Sequence, residues 1–257
     1  MYKRTFALCT LIVVMLLTSC ASNKDVVYLH NNSTNEEFDA KKYANVLQPD
    51  DKLIITVTAD EPSLAAPFNL MYLSMQSNEI RSVVNDDALF SYLIDQNGEI
   101  DLAGIGKVKL SGLTRVEAEK KIKELLEQQI KNPGVNLRVI NFKVSVLGEV
   151  SRPGPVNVSG DRITLLEALS MSGDLTIYGK RKDILVIREV QGAITVNSID
   201  ITSADFINSS FYYLKHNDVV YVKPNKTKVN SSVIGPNLTV GISALSLIVT
   251  IIALSIR

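Results

Sequence analysis

The sequence predicts an α+β protein: two successive units, each a twisted sheet with one helix laid across it, then a C-terminal transmembrane α-helix. Three observations carry this. Short β-branched and apolar runs alternate with turn residues over residues 53–222. Two stretches in that region open on capping boxes, Thr114 with Glu117 and Thr164 with Glu167, each followed by apolar residues at helical spacing. Residues 229–256 carry no charge, and 238–256 would span about 28 Å as a helix, close to one hydrocarbon core.

Composition excludes several function classes. The formal net charge of the 257 residues is zero, so no basic face for nucleic acid is expected. Hydrophobic residues make up 46% of the chain, but the termini hold much of the excess, and the middle reads as an ordinary globular protein. Cys9 and Cys20 are the only cysteines and make neither a disulfide framework nor a zinc site. His30 and His216 are the only histidines and lie far apart in sequence, which argues against a His-based metal or nucleophile constellation. No metal or cofactor is expected.

The N-terminus reads as a signal peptide. Lys3 and Arg4 form a positive region, and residues 6–17 an apolar one too short for a spanning helix. Leu17-Thr18-Ser19-Cys20 resembles a bacterial lipobox, in which the cysteine is lipidated and becomes the mature N-terminus. Residues 1–19 are then the signal peptide. Ala21, not an aspartate, follows the cysteine, and the resemblance implies sorting to the outer membrane. Cleavage would remove Cys9 and lipidation would mask Cys20, leaving no free thiol in an oxidising periplasm. Residues 20–44 are the lipidated Cys20 and a polar tether.

The first unit is expected over 45–143. Residues 53–58 form a β-branched strand bounded by Asp50-Asp51 and Pro62. Residues 63–91 look like a loop-rich insertion with weak helical character over 71–84. Asn97-Gly98, between alternating runs, signals a hairpin because both residues tolerate positive φ. "GIGKVKL" is a further strand. Its glycines make no phosphate loop, since no Gly-Lys-Ser/Thr follows. A helix follows, with Leu113 stapled onto Ala118 and Val116, Ile122, Leu125, Leu126 and Ile130 as its apolar stripe. Asn132-Pro133-Gly134 stops it. Its charged residues, among them Lys120 and Lys123, read as a solvated face.

The second unit is expected over 144–223. Gly148, Pro153 and Gly154 set a tight turn between strands. A short helix follows Thr164 and ends at Gly173. "RKDILVIREV" and "GAITVNSIDI" pair as a hairpin, and 219–222 is the last strand.

These runs resemble a known family. "LQPDDKLIITVTADEP" resembles the opening of the polysaccharide-export domain. "YLIDQNGEIDLAGIGKVKLSGLTRVEAEKKIKELL" resembles its core, with Asp95, Gly98, Ile100, Gly106, Gly112, Leu113, Thr114, Glu117 and Ala118 at the matching places. "VSVLGEVSRPGPVNVSGDRITLLEALSMSGDL" resembles the start of a β-grasp domain of the SLBB type, through Gly148, Val150, Pro153, Gly154, Thr164, Leu165, Ala168 and Gly173. The resemblance covers about residues 45–223 and is to the Wza-like outer-membrane polysaccharide export lipoproteins. It implies a homo-oligomeric ring, a porin-like channel for capsular or exopolysaccharide, and main domains in the periplasm. It also implies contact with outer-membrane lipid and an inner-membrane polysaccharide co-polymerase as partner, a tyrosine autokinase being one option. Longer members carry a second SLBB domain, and one is seen here. The motif residues themselves read as structural: turns at Asp95, Gly98, Gly106, Gly148, Pro153 and Gly154, and helix caps at Thr114, Glu117, Thr164 and Glu167.

Residues 224–235 read as a linker and 236–257 as the outer-membrane helix, with Pro236 at a position where a helix can begin. Thr239, Ser243, Ser246, Thr250, Ala253 and Arg257 fall on one narrow stripe of small or polar residues, a face for helix packing or for a water-filled lumen. The flanking Lys223, Lys226 and Lys228 suit a periplasmic side under the positive-inside bias.

The function expected is therefore a non-enzymatic outer-membrane channel for polysaccharide. The alternative is a non-pore periplasmic lipoprotein that binds glycan or scaffolds the assembly complex. A glycan hydrolase would need a carboxylate pair in a cleft. Asp95, Glu99 and Asp101 lie close in sequence, but on a predicted hairpin where exposed acids are ordinary.

Overall fold

The structure is a computed structural model that describes residues 25–30, 45–70, 90–190, 192–233 and 236–255. The first unit opens with β1 (Lys52–Thr58), whose alternating Leu53, Ile55 and Val57 face the core. Helix α1 (Pro62–Ala65) and a 3-10 turn (Ala66–Phe68) follow. The weak helix expected over 71–84 lies outside the described residues. Next come β2 (Tyr92–Leu93), β3 (Glu99–Leu102), β4 (Gly106–Lys109), helix α2 (Arg115–Leu126) and β5 (Gly134–Val139). Strand β1 is central in the order β2-β1-β5, antiparallel to both neighbours, and β3 and β4 form a separate hairpin.

Two local expectations change here. Asn97-Gly98 does not close the hairpin: β3 pairs with β4, and residues 103–105 connect them. Gly98 takes φ +81°, so only one of the pair leaves the common region. The Asp95 carboxylate accepts the N–H groups of Asn97 and Glu99 and shapes that turn. On α2, Ala118, Ile122 and Leu126 are buried, whereas Val116 is 63% exposed.

The second unit contains β6 (Lys143–Gly148), β7 (Gly154–Asn157), β8 (Ile163–Thr164), helix α3 (Leu165–Met171), β9 (Gly179–Val190), β10 (Ala193–Ile199), β11 (Tyr213–Leu214) and β12 (Val219–Pro224). Its main sheet runs β10-β9-β12-β6-β7, with β12 parallel to β6 and the other pairs antiparallel. Val144, Val146, Ile184, Val186, Val220 and Val222 send one face of that sheet into a core closed by Leu165, Ala168 and Leu169 of α3. The connection at 149–153 is no tight turn. Ser151 and Arg152 donate their N–H groups to Asp174 and Ser172, clasping the connection to the loop after α3.

Beyond β12 the chain forms α4 (Lys226–Val233) and α5 (Pro236–Ser255). The expected C-terminal transmembrane helix is corrected: among the described residues no helix is long and apolar enough to cross a membrane. A span needs about 20 predominantly apolar residues in a row. Helix α5 opens on Pro236-Asn237, and Thr239, Gly241, Ser243, Ser246 and Thr250 then break its apolar run. The fold class is α+β: two sheet-and-helix units with two helices after them.

Candidate functional site

The motif residues do not converge on one pocket. Each fixes a piece of backbone. Glu117 accepts the Thr114 N–H at 2.8 Å while Thr114 accepts the Glu117 N–H, and Thr164 and Glu167 repeat the arrangement on α3. Gly148 takes φ +90°, and a Cβ there would meet the Val222 carbonyl oxygen at 2.0 Å. A Cβ at Gly98 would lie 2.4 Å from that of Ser111. Pro153 lies in the clasped connection and Gly154 opens β7. Gly106 opens β4 at φ +95° with open space around it.

On α5, the Ser246 hydroxyl donates to the Ser243 carbonyl and the Thr250 hydroxyl to that of Ser246. Those polar groups are satisfied within the helix. Thr239 and Ala253 belong to the same helix. Cys20 and Arg257 lie outside the described residues.

What the structure does bring together is the junction of the two units. Val139, at the end of β5, packs against both cores. Asn141 accepts the Lys52 N–H and donates to the Asp50 carbonyl, each at 2.8 Å. His216 then reaches across from the second unit. Its Nδ1 accepts the Lys143 N–H at 3.2 Å, its carbonyl accepts from Gln48, and its Nε2 lies 3.7 Å from Asp51 Oδ1. Phe142 sets its ring edge-on to the imidazole, with centroids 6.0 Å apart.

Asp51 and His216 are 3% and 7% exposed. Burial pushes the Asp51 carboxyl up to about 6, while the Gln48 N–H on its Oδ2 opposes the rise. Burial and the nearby Lys143 charge hold His216 below its ordinary value. Asp51 Oδ1 has no hydrogen-bond partner. Shut away from solvent, this pair is a structural joint, not a proton relay.

A buried ion pair supports the joint. Arg188 of β9 grips Asp218 with two bonds of 2.9 and 2.6 Å and also donates to the carbonyls of Ser210 and Tyr213. The loop that carries His216 is thereby pinned to the second sheet.

On the surface, Arg115 at the start of α2 bonds Asp161 of the second unit at 3.0 Å. Beside this bridge is a cleft of about 310 Å³, lined by residues of both units including Leu47, Thr114, Phe142 and Arg162. Among the described residues no cluster of His, Cys, Asp or Glu is placed to hold a metal. Asp95, Glu99 and Asp101 do not gather in that cleft.

Sequence reasoning missed the docking of residues 25–30, which were expected to belong to a free tether. Leu29 and His30 donate their N–H groups to the carbonyls of Ile201 and Thr202. Tyr28 donates its hydroxyl to Asp174 and lies under the Arg181 guanidinium. Burial, and then the bond to Asp174, raise that phenol well above its usual range. Asp25 pairs with Lys182 at 2.6 Å. The apolar pair Tyr28-Leu29 was the one available signal.

Comparison with known proteins agrees with the two-unit architecture. The family model described as polysaccharide biosynthesis/export protein matches residues 39–140, and that of the SLBB domain matches 142–222. The chain is 26% identical over 192 residues to the EPS I polysaccharide export outer membrane protein EpsA of Ralstonia solanacearum, across 72% of this chain and 50% of that protein. The protein of the same name from Ralstonia nicotianae matches at the same identity and coverage. The chain thus spans about half the length of the curated relatives it matches. The chain therefore carries a polysaccharide biosynthesis/export domain followed by an SLBB domain, and on that pairing rests its resemblance to the Wza-like polysaccharide export proteins.

Proposed function

We propose that this protein is an outer-membrane lipoprotein that takes part in exporting an exopolysaccharide or capsular polysaccharide. The observation that carries this is the tandem of an export unit and an SLBB unit joined by a buried polar joint, in a chain whose relatives are named as exporters. Cys20 carries the lipid, and the export unit (45–143) and the SLBB unit (144–223) stand in the periplasm. Copies of the chain assemble into a ring that encloses the polymer's path, above an inner-membrane co-polymerase. The role is transport without bond-making, so no catalytic residue is assigned.

The stripe of Thr239, Ser243, Ser246, Thr250 and Ala253 on α5, which Arg257 continues in sequence, serves as a seam between copies of the chain. Small side chains let helices approach closely, and hydroxyls already bonded within the helix add no desolvation cost. Replacing both Ser246 and Thr250 by leucine is expected to weaken the oligomer, measured by light scattering in detergent. An oligomer of unchanged size would rule out the seam.

The whole reading is tested by deleting the gene and complementing it. Polymer at the cell surface should be lost in the deletion and return with the intact chain but not with Cys20→Ala. Undiminished secretion from the deletion strain would sink the export role. A chain that restores secretion while remaining monomeric would favour a scaffolding lipoprotein over a channel.

A further inference from the structure

We infer that the end of the second sheet where β9 begins and β12 ends is a membrane-facing surface that rests on anionic phospholipid headgroups. The inference builds on the proposed acylation of Cys20. Residues 25–30 are clasped to the second unit through Asp25–Lys182 (2.6 Å), Tyr28–Asp174 (2.5 Å) and the backbone of Leu29 and His30. Four residues, 21–24, separate Cys20 from Asp25. Even fully extended, they keep the two Cα atoms within about 17 Å. An acyl chain on Cys20 therefore holds Lys182, near the start of β9, close to the bilayer.

The surface presented there has the chemistry of a membrane interface. Gly179 of β9 pairs with Pro224 of β12, which brings the residues before β9 beside the start of α4. Asn225 donates its N–H to the Tyr178 carbonyl at 2.7 Å, and Lys228 Nζ lies 5.3 Å from the Tyr178 ring centroid. Ile177 is 63% exposed and Tyr178 is exposed beside it. An amphipathic ring and an aliphatic side chain among lysines is the composition favoured at headgroup depth.

The charge agrees. Three acids at this end each face a lysine: Asp25 with Lys182, Asp183 with Lys223 and Glu149 with Lys228. Asp174 is taken by the Tyr28 hydroxyl, and Asp200 by Thr202. Among the described residues, Lys180 and Lys226 form no ion pair; Lys180 acts on Asp183 only at longer range, where Lys223 already holds the carboxylate at 2.8 Å, so both lysines are left to meet lipid phosphates.

The test uses the full chain carrying Cys20→Ala, so that no acyl group contributes. Its binding is measured on vesicles of phosphatidylcholine alone and on vesicles containing phosphatidylglycerol. The ratio of the two affinities cancels the contribution of the apolar segments. Lys180→Glu with Lys226→Glu should lower that ratio on the order of 30-fold or more, since each lysine near an anionic surface contributes about fivefold. Lys120→Glu with Lys123→Glu, on α2 of the other unit, changes net charge equally and should leave the ratio intact. An unchanged ratio in the first pair, or an equal fall in the control pair, overturns the assignment.

A second readout does not depend on mutating the charges. The chain has no tryptophan. Tyr178→Trp therefore places a sole reporter on the face, and its emission should shift to the blue on adding phosphatidylglycerol vesicles. Unshifted emission overturns the proposal. Acylation of the native chain is read separately by intact mass. A chain that is acylated but indifferent to phosphatidylglycerol overturns this face and leaves the export reading standing. The reverse result overturns the lipid anchor and not the face.

Discussion

Gly148 and Gly106 both hold a positive φ, yet they are held for different reasons. At Gly148, where β6 runs against β12, a methyl group would sit 2.0 Å from the Val222 carbonyl oxygen, and strand backbone cannot give way. Gly148→Ala should cost about 3 kcal/mol or more, adding steric overlap to left-handed strain. Gly106 meets nothing within 4 Å, so Gly106→Ala should cost only the conformational strain, about 1–2 kcal/mol. Urea denaturation of the two variants checks the contrast, and equal losses would refute it. Asp51 makes a prediction of opposite sign. Its carboxyl is raised from 3.8 to about 6, so the native state holds its proton more tightly than the unfolded chain does. Its contribution to stability therefore falls as pH rises from about 4 to about 6, and the ionised form is a cost above that window. Asp51→Asn should stabilise the protein by about 2 kcal/mol at pH 8, an advantage that shrinks as pH approaches 4. Burial lowers His216, which works the other way, since an unfolded histidine takes up its proton first as pH falls. An advantage that grows on acidification would contradict the assignment.

The helices show what patterning can and cannot resolve. Both capping boxes were legible because the motif is local: the hydroxyl and carboxylate satisfy orphan N–H groups within one turn. Thr114→Ala or Thr164→Ala should each cost about 1 kcal/mol, measured by thermal unfolding. The buried stripe of α2 was partly misread. Val116 and Ile122 are six residues apart and fall on different faces at 100° per residue, whereas Ala118, Ile122 and Leu126 stack at intervals of four. Orientation comes from a contact no local pattern contains: the Glu119 carboxylate accepts the Leu137 N–H of β5 at 2.9 Å and also holds Arg115. The hairpin at Asn97-Gly98 failed for the same reason. The turn was real, but the choice of pairing partner for β3 was tertiary. The length and lack of charge of the C-terminal run point to a span, but the glycine and hydroxyl residues assigned to one face of it also interrupt its apolar run.

At the scale of the molecule, the joint between the units was the least legible feature. Asp51 reads as a strand boundary and His216 as an isolated histidine, and only the fold brings them 3.7 Å apart across 164 intervening positions. That joint predicts how the protein unfolds. Arg188 and Asp218 are both nearly fully buried, and they anchor the loop that carries His216 into the export unit. Arg188→Met leaves the Asp218 charge buried without its partner, a loss of about 3–5 kcal/mol. Were the units independent, only the second would melt earlier. Because Val139 belongs to both cores and Arg115–Asp161 ties the surfaces, they should melt together. Calorimetry should then show one transition, lowered by about 10 °C in the variant, with calorimetric and van't Hoff enthalpies equal. Leu53→Ala, in the core of the export unit, should lower the same single transition. Two separated peaks in either variant would mean that the joint positions the units without coupling their stability, and that the ring would be assembled from units free to hinge.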